Sequence, residues 1–133
     1  LRKTWLGSAK WFNYAFFNTL SEPQQVEAYE ANAVPESFKI NSSLLFNSFS
    51  RVDFAQPHAP LLFLGGTADH IFPSDFTRRI AGGYRDADSR VDVKIHEGRS
   101  HFTCGEPGWE SVAGAIREWY EQLSCRGTRD EGC

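Results

Sequence analysis

The strongest constraint on the fold is a short apolar run, Leu61-Leu-Phe-Leu64, that ends at Gly65-Gly66. A strand with one solvated face alternates apolar and polar residues, whereas an uninterrupted run is typical of a strand buried on both faces. Such strands occur in parallel sheets that are covered by helices. The run therefore predicts a central strand of an α/β sheet with neighbours on both edges.

The elements after this strand are consistent with that prediction. Residues 73–81 are predicted to form a helix, because Phe76 and Ile80 share one helical face and Gly82-Gly83 follows. Residues 91–95 alternate strictly, which places valine and isoleucine on one face of a strand and Asp92 and Lys94 on the other. A strand with charges on one face is expected to be half-solvated and close to a sheet edge.

A final helix is predicted over about residues 108–123. Its apolar residues recur at helical spacing and form a wide stripe that is expected to pack on the sheet; they are Trp109, Val112, Ala113, Ile116, Trp119, Tyr120 and Leu123. The order strand, helix, strand, helix predicts the α/β class with parallel strands. Two strands are fewer than the five or six usual in a sheet, so a large part of the sheet is expected to lie outside this sequence.

The first 40 residues are rich in aromatic side chains. Ser21 with Pro23 and Gln24 predicts a capped helix start, and Pro35 requires that helix to end before it. Two interpretations remain open: a surface helix with some buried aromatic residues, or a lid over an apolar pocket. Residues 41–59 are predicted to be a connection, with a short helical turn at residues 44–46.

The composition excludes several classes of function. A net charge of −3 and 41% hydrophobic residues describe an ordinary globular protein and argue against a nucleic-acid partner. No apolar run reaches membrane-spanning length, and no signal peptide is visible, so no membrane association is expected. The three cysteines include no CxxC pair and no zinc-ligand spacing, so a reducing, cytoplasmic location is expected. The chain begins at Leu1 and contains no methionine, so we expect it to be a fragment, with a processed product as the alternative.

Two titratable residues follow successive predicted strands. Asp69 comes after the first strand, and His101 comes after the second. In open α/β sheets functional side chains cluster beyond the carboxyl ends of the strands, and adjacent strands lie only about 4.8 Å apart. A carboxylate on one ring nitrogen of a histidine fixes its tautomer and leaves the other nitrogen free to accept a proton. These residues are therefore predicted to be an acid–base pair.

Both loops resemble those of a known family. Gly65-Gly-Thr-Ala-Asp-His-Ile-Phe-Pro73 is similar to the acid loop of the α/β-hydrolase superfamily, and Gly98-Arg-Ser-His-Phe102, leading to Pro107-Gly-Trp109, is similar to its histidine loop. The stretch from Tyr14 to Ser37 resembles lid segments of bacterial and fungal members. The resemblance covers nearly all of residues 11–123.

The resemblance implies the C-terminal part of an α/β-hydrolase fold: lid helices followed by the last two strands and helices of a mainly parallel sheet. Residues 1–57 would be the lid and its return connection, 58–124 the core, and 125–133 a polar tail. Asp69 and His101 would act in a catalytic triad on a small, uncharged, apolar ester-like substrate. No cofactor or metal is implied. Four lid aromatics would line the substrate pocket: Trp11, Phe12, Phe16 and Phe17.

The sequence departs from the family at the nucleophile. The family carries it in a G-x-S-x-G motif upstream of the acid, and no such motif occurs here. Ser8 and Ser100 do not lie in a G-x-S-x-G motif and are predicted to be structural, and Cys104 is predicted to be structural as well. The histidines near Asp69 match no metal-ligand spacing. The isolated chain is therefore predicted to be inactive. Two alternatives to the hydrolase hypothesis remain open. The chain is a truncated, non-catalytic remnant, or it is a binding module that uses the aromatic lid.

Overall fold

A computed structural model of the chain describes residues 4–37, 39, 43 and 51–127. The described part is a small α/β protein. Its elements in chain order are β1 (Thr4–Trp5), α1 (Ala9–Ala15), α2 (Glu22–Asn32), β2 (Glu36–Ser37), β3 (Leu61–Gly66), α3 (Ser74–Ala81), β4 (Val91–His96) and α4 (Trp109–Gly127). The helical turn predicted at residues 44–46 lies outside the described residues.

The sheet that positions the candidate site consists of β3 and β4, which pair in parallel. The register runs from Leu61 opposite Val91 to Gly66 opposite His96. Helix α3 connects the two strands and packs on the face of the sheet that carries Ile95. A Cβ atom on Gly65 would lie 3.0 Å from Ile95 Cδ1 and 3.1 Å from Thr77 Oγ1, so the helix approaches the strands closely at this glycine. The predicted order of strand, helix and parallel strand is confirmed.

The apolar residues of β3 are not fully buried in the described part of the chain, as expected if neighbouring strands of the sheet lie outside this sequence. Leu61 through Leu64 are only partly buried, whereas Gly65 and Gly66 are buried. Within the described residues β3 pairs with a single strand, β4. One edge of a strand that has only one neighbour stays uncovered, which leaves part of its apolar surface accessible.

Strand β4 is partly buried along its whole length, in agreement with the expected half-solvated strand, and its two charged residues also contact a helix. The Lys94 ammonium donates a hydrogen bond to the carbonyl of Ala115 (3.2 Å), and the Trp119 indole N–H donates to the Asp92 carboxylate (2.6 Å). Both partners belong to α4, so this helix covers the polar face of the strand while α3 covers the apolar face. The two charges therefore contact α4 while staying partly accessible to water; the Asp92 side chain is 34% exposed.

Among the described residues in the apolar stripe of α4, only Val112, in the first turn of the helix, is buried. Val112 is 1% exposed, but Trp109, Ile116 and Tyr120 are 47%, 39% and 65% exposed. The prediction that the whole stripe packs on the sheet is wrong, because two strands are too narrow to cover so wide a face. The helix also continues to Gly127, beyond the predicted end near residue 123. None of the described helices combines the length and apolarity that a membrane span requires.

The N-terminal segment folds around its aromatic residues. Helix α2 begins as predicted, with the Ser21 backbone N–H donating to Gln24 Oε1 (3.1 Å), and it ends at Asn32 before Pro35. Strands β1 and β2 pair antiparallel across the segment, a contact that the sequence did not predict. The rings of α1 and its flanks form a cluster of edge-to-face and stacked contacts among Trp5, Trp11, Phe12, Phe16, Phe17 and Tyr29.

Candidate functional site

The candidate site lies where β3 and β4 end, because parallel strands deliver their following loops to the same edge of the sheet. Backbone hydrogen bonds continue from the strands into these loops. The Thr67 N–H donates to the His96 carbonyl (3.0 Å), and the Ala68 N–H donates to the Arg99 carbonyl (3.0 Å). The acid loop, which follows β3, and the histidine loop, which follows β4, are therefore held side by side.

Gly66 makes this close approach possible. A Cβ atom at this position would lie 2.0 Å from the Arg99 carbonyl oxygen and 2.6 Å from its carbonyl carbon. Both obstacles are backbone atoms, which cannot rotate away as a flexible side chain can. Only glycine allows the histidine loop to lie this close to the end of β3, so the glycine pair that ends the apolar run also sets the separation of the two loops.

Asp69 and His101 are joined by a hydrogen bond. Asp69 Oδ2 lies 2.9 Å from His101 Nδ1. The other carboxylate oxygen, Oδ1, accepts the backbone N–H groups of Ile71 (2.7 Å) and Phe72 (2.8 Å). This arrangement reserves Oδ2 for the ring and fixes the direction of the carboxylate. A carboxylate can only accept, so a neutral ring paired with it donates from Nδ1 and presents an unprotonated Nε2.

The pair is shielded by aromatic rings. The Asp69 side chain is 7% exposed and the His101 side chain 27% exposed. The ring centroids of Phe16 and Phe72 lie 5.1 and 5.3 Å from that of His101. Low local polarity strengthens a hydrogen bond to a carboxylate, so these rings favour a well-ordered pair while leaving one side of the imidazole accessible.

The pair opens onto a cavity of about 470 Å³, the acid–base cavity. Apolar side chains dominate its lining, and among the described residues Asp69 is the only carboxylate in it; the lining residues are Phe63, Leu64, Gly65, Asp69, Phe72, Phe76, Thr77, Ile80, His101, Thr103 and Cys104. Cys104 is exposed, and across the described ranges its sulfur forms no hydrogen bond with the His101 ring.

The four predicted lid aromatics line a different cavity. Trp11, Phe12, Phe16 and Phe17 surround about 320 Å³, together with Trp5 and Phe102 among others, and this space is the lid cavity. Of the four, Phe16 has a ring contact with His101. Phe17 is 2% exposed and packs edge-to-face on Phe102, so it belongs to the core. Phe16 therefore stands between the lid cavity and the acid–base pair.

The two serines that were predicted to be structural, Ser8 and Ser100, form hydrogen bonds within the fold. Ser8 caps α1 by accepting the Trp11 N–H (3.3 Å), and Ser100 is completely buried with its hydroxyl donating to Glu106 (3.0 Å). His70 contacts the aromatic N-terminal segment, since its Nδ1 lies 2.7 Å from the Tyr14 carbonyl oxygen. In the described part of the chain, no group of three or more His, Cys, Asp or Glu side chains is arranged to hold a metal ion.

Sequence reasoning missed two residues that organise the site. Glu106 is 3% exposed and contacts the histidine loop, and Asn18 donates from its amide to the Ala68 carbonyl (2.9 Å) next to the acid. A glutamate in a Gly-Glu-Pro-Gly loop belongs to no periodic pattern, so the sequence predicts that its side chain is exposed to solvent. Asn18 lies in a turn after α1, where an asparagine is ordinary.

Comparison with known proteins adds no family assignment. The sequence matches no protein-family model, and no curated protein is significantly similar to it. Any functional conclusion therefore depends on the geometry of the site and on the resemblance of its two loops.

Proposed function

We propose that this chain carries the acid and the base of an α/β-hydrolase triad, Asp69 and His101, and forms the C-terminal part of that fold. The observation that supports the proposal most directly is the 2.9 Å hydrogen bond between Asp69 Oδ2 and His101 Nδ1 at the carboxyl edge of a parallel strand pair. The acid and the base follow successive strands in the chain order of the family.

The roles follow from the donor and acceptor pattern. Asp69 holds the ring in the tautomer that carries its proton on Nδ1, and it stabilises the imidazolium that forms in the reaction. Nε2 of His101 takes the proton of a nucleophilic hydroxyl, returns it to the leaving group, and then activates water to release the acyl group. The nucleophile and the oxyanion-hole donors are supplied by sequence other than these 133 residues, since G-x-S-x-G is absent from them.

The acid–base cavity favours a neutral, apolar substrate. Its walls are mainly phenylalanine, leucine and isoleucine, and neither lysine nor arginine lines it among the described residues. A substrate carboxylate would lose its hydration there without gaining a cation and would face the negative charge of Asp69. A small aliphatic or aromatic ester loses little on entry and buries apolar surface.

The test compares two proteins with matched variants. Loss of a triad nucleophile reduces turnover by about a million-fold, so purified residues 1–133 should hydrolyse p-nitrophenyl esters no faster than the same chain with His101→Ala. A protein that includes the coding sequence upstream of Leu1 should hydrolyse them and react with a fluorophosphonate probe, and His101→Ala should abolish both. Hydrolysis by residues 1–133 that depends on His101 would contradict the assignment of the nucleophile to other sequence.

A second candidate function is the binding of an apolar small molecule without turnover. The lid cavity favours it, because its aromatic walls suit such a ligand and contain neither Asp69 nor His101. In this case a neutral naphthalene probe should bind residues 1–133, Trp11→Ala should weaken binding, and Asp69→Asn should leave it unchanged. His101-dependent hydrolysis in the longer protein would exclude this candidate as the main activity.

A further inference from the structure

A buried carboxylate outside the acid–base pair lies at the base of the histidine loop. Glu106 is 3% exposed, and the residue it contacts, Ser100, is 0% exposed. Burying a carboxylate is costly unless hydrogen bonds replace its hydration. The hydrogen-bond partners of Glu106 therefore indicate which part of the structure the buried carboxylate stabilises.

On one side Glu106 holds the residue immediately before His101. Ser100 donates its backbone N–H to Glu106 Oε1 (3.2 Å) and its hydroxyl to Oε2 (3.0 Å). The same hydroxyl accepts the N–H of Phe102 (3.1 Å), the residue immediately after His101. The backbone on both sides of the histidine is thus fixed through one serine, and that serine is fixed by the carboxylate.

On the other side Glu106 holds the lid. The Thr19 hydroxyl donates to Glu106 Oε2. Thr19 follows Asn18, whose amide donates to the Ala68 carbonyl (2.9 Å) beside the acid, and the nearby Phe16 ring lies 5.1 Å from the His101 ring. Residues 16–19 therefore contact the acid loop, the histidine ring and the buried carboxylate together.

We propose that Glu106 is a positioning residue that couples the seating of the lid segment 16–19 to the alignment of His101 with Asp69. The proposal rests on the proposed function and extends it: the acid–base pair is correctly aligned only when the lid is docked. The Arg99 guanidinium, with Nη1 at 3.6 Å from Glu106 Oε1, helps to hold the carboxylate in place. Glu106 itself contacts neither the ring nor the cavity.

The alternative is that Glu106 only stabilises its own loop. The two accounts differ for Thr19, which is exposed and whose hydroxyl reaches Glu106 from the lid. Thr19→Val removes that hydroxyl but leaves all contacts between Glu106 and Ser100 intact. If Glu106 has a purely local role, the hydrogen bond between His101 and Asp69 should not change in Thr19→Val. If the coupling exists, this hydrogen bond should weaken. Thr19→Ser keeps the hydroxyl and serves as the matched control.

The readout is the exchange with water of the His101 Nδ1 proton, measured by NMR on residues 1–133 labelled with nitrogen-15. Thr19→Val and Glu106→Ala should speed this exchange by about tenfold or more, as expected when a charge-assisted hydrogen bond is weakened. Thr19→Ser should match the wild type, and Glu106→Gln, which keeps an acceptor oxygen for Ser100, should fall between the wild type and Glu106→Ala. Far-UV circular dichroism and the Val112 methyl signals verify that each variant is folded.

The outcomes separate this proposal from the proposed function. Unchanged exchange in a folded Thr19→Val variant overturns the coupling, even if the longer protein shows His101-dependent hydrolysis. Faster exchange in Thr19→Val supports the coupling, even if no hydrolysis is found and the proposed function fails. Should Glu106→Ala not fold, the Thr19→Val and Thr19→Ser pair decides alone, because an exposed position tolerates both substitutions.

Discussion

Gly66→Ala is predicted to disrupt the contact that holds the two functional loops together. The added methyl carbon would lie 2.0 Å from the Arg99 carbonyl oxygen, whereas real Cβ atoms essentially never approach closer than 3.0 Å. The end of β3 and the histidine loop must therefore separate by about 1 Å, because neither backbone group can rotate away. Such a separation breaks the 3.0 Å hydrogen bond from the Ala68 N–H to the Arg99 carbonyl.

The free-energy cost of Gly66→Ala is the sum of the steric overlap of the added methyl group and the loss of the Ala68 hydrogen bond. Forcing an extra methyl group into a packed backbone contact costs about 1–3 kcal/mol. Losing the hydrogen bond of Ala68 costs about 1 kcal/mol more. Gly66→Ala should therefore lower the free energy of unfolding by about 2–4 kcal/mol.

The assay is amide hydrogen exchange of the Ala68 N–H together with urea unfolding followed by tryptophan fluorescence. Gly114→Ala is the matched control, because its Cβ meets no atom within 4 Å and alanine is favoured over glycine in a helix by about 0.8–1 kcal/mol. Gly66→Ala should lose protection at Ala68, and Gly114→Ala should gain stability. Equal stability of Gly66→Ala and the wild type, with protection at Ala68 retained, would refute the close-approach argument.

Three further substitutions probe other contacts. Phe16→Ala should enlarge the lid cavity toward the His101 ring, which Phe16 contacts, so that a neutral aromatic probe bulkier than naphthalene binds the variant and not the wild type; unchanged binding would show that Phe16 does not close the lid cavity on that side. Val112→Ala should lower the free energy of unfolding by about 2 kcal/mol in a urea titration, since two buried methyl groups are lost. The control Val26→Ala, at a 57% exposed site, should lower it by less than about 0.5 kcal/mol. Similar costs for the two variants would contradict the assignment of Val112 to the core. Trp119→Phe should cost about 0.5–1 kcal/mol, because the Asp92 carboxylate loses its indole donor but keeps its ion pair with Arg90 and is 34% exposed; a neutral effect in the same titration would mean that this bond does not attach α4.

Local patterns in the sequence predicted the elements around the site. The apolar run at residues 61–64, the alternation at 91–95 and the capped helix after Ser21 each depend on neighbours along the chain, and each is present. The proximity of Asp69 and His101 followed from the same information, because two parallel strands deliver their loops to one edge.

Burial and the support of the site depend on contacts between residues far apart in the chain, and the sequence patterns did not predict them. The exposure of Trp109 and the partial burial of the apolar strand follow from how few strands cover them. The hydrogen bonds from Thr19 and Ser100 to Glu106 join residues up to 87 positions apart, and no periodicity encodes such a contact.

The tautomer of His101 tests the central claim most directly. At about pH 8, where histidine rings are ordinarily neutral, nitrogen-15 NMR of the wild-type chain should find the ring proton on Nδ1. In Asp69→Asn, the side-chain oxygen should keep the backbone N–H groups of Ile71 and Phe72, which turns the amide NH₂ toward the ring and moves the ring proton to Nε2. A wild-type ring protonated on Nε2, or a tautomer unchanged by Asp69→Asn, would contradict the proposed acid–base pair.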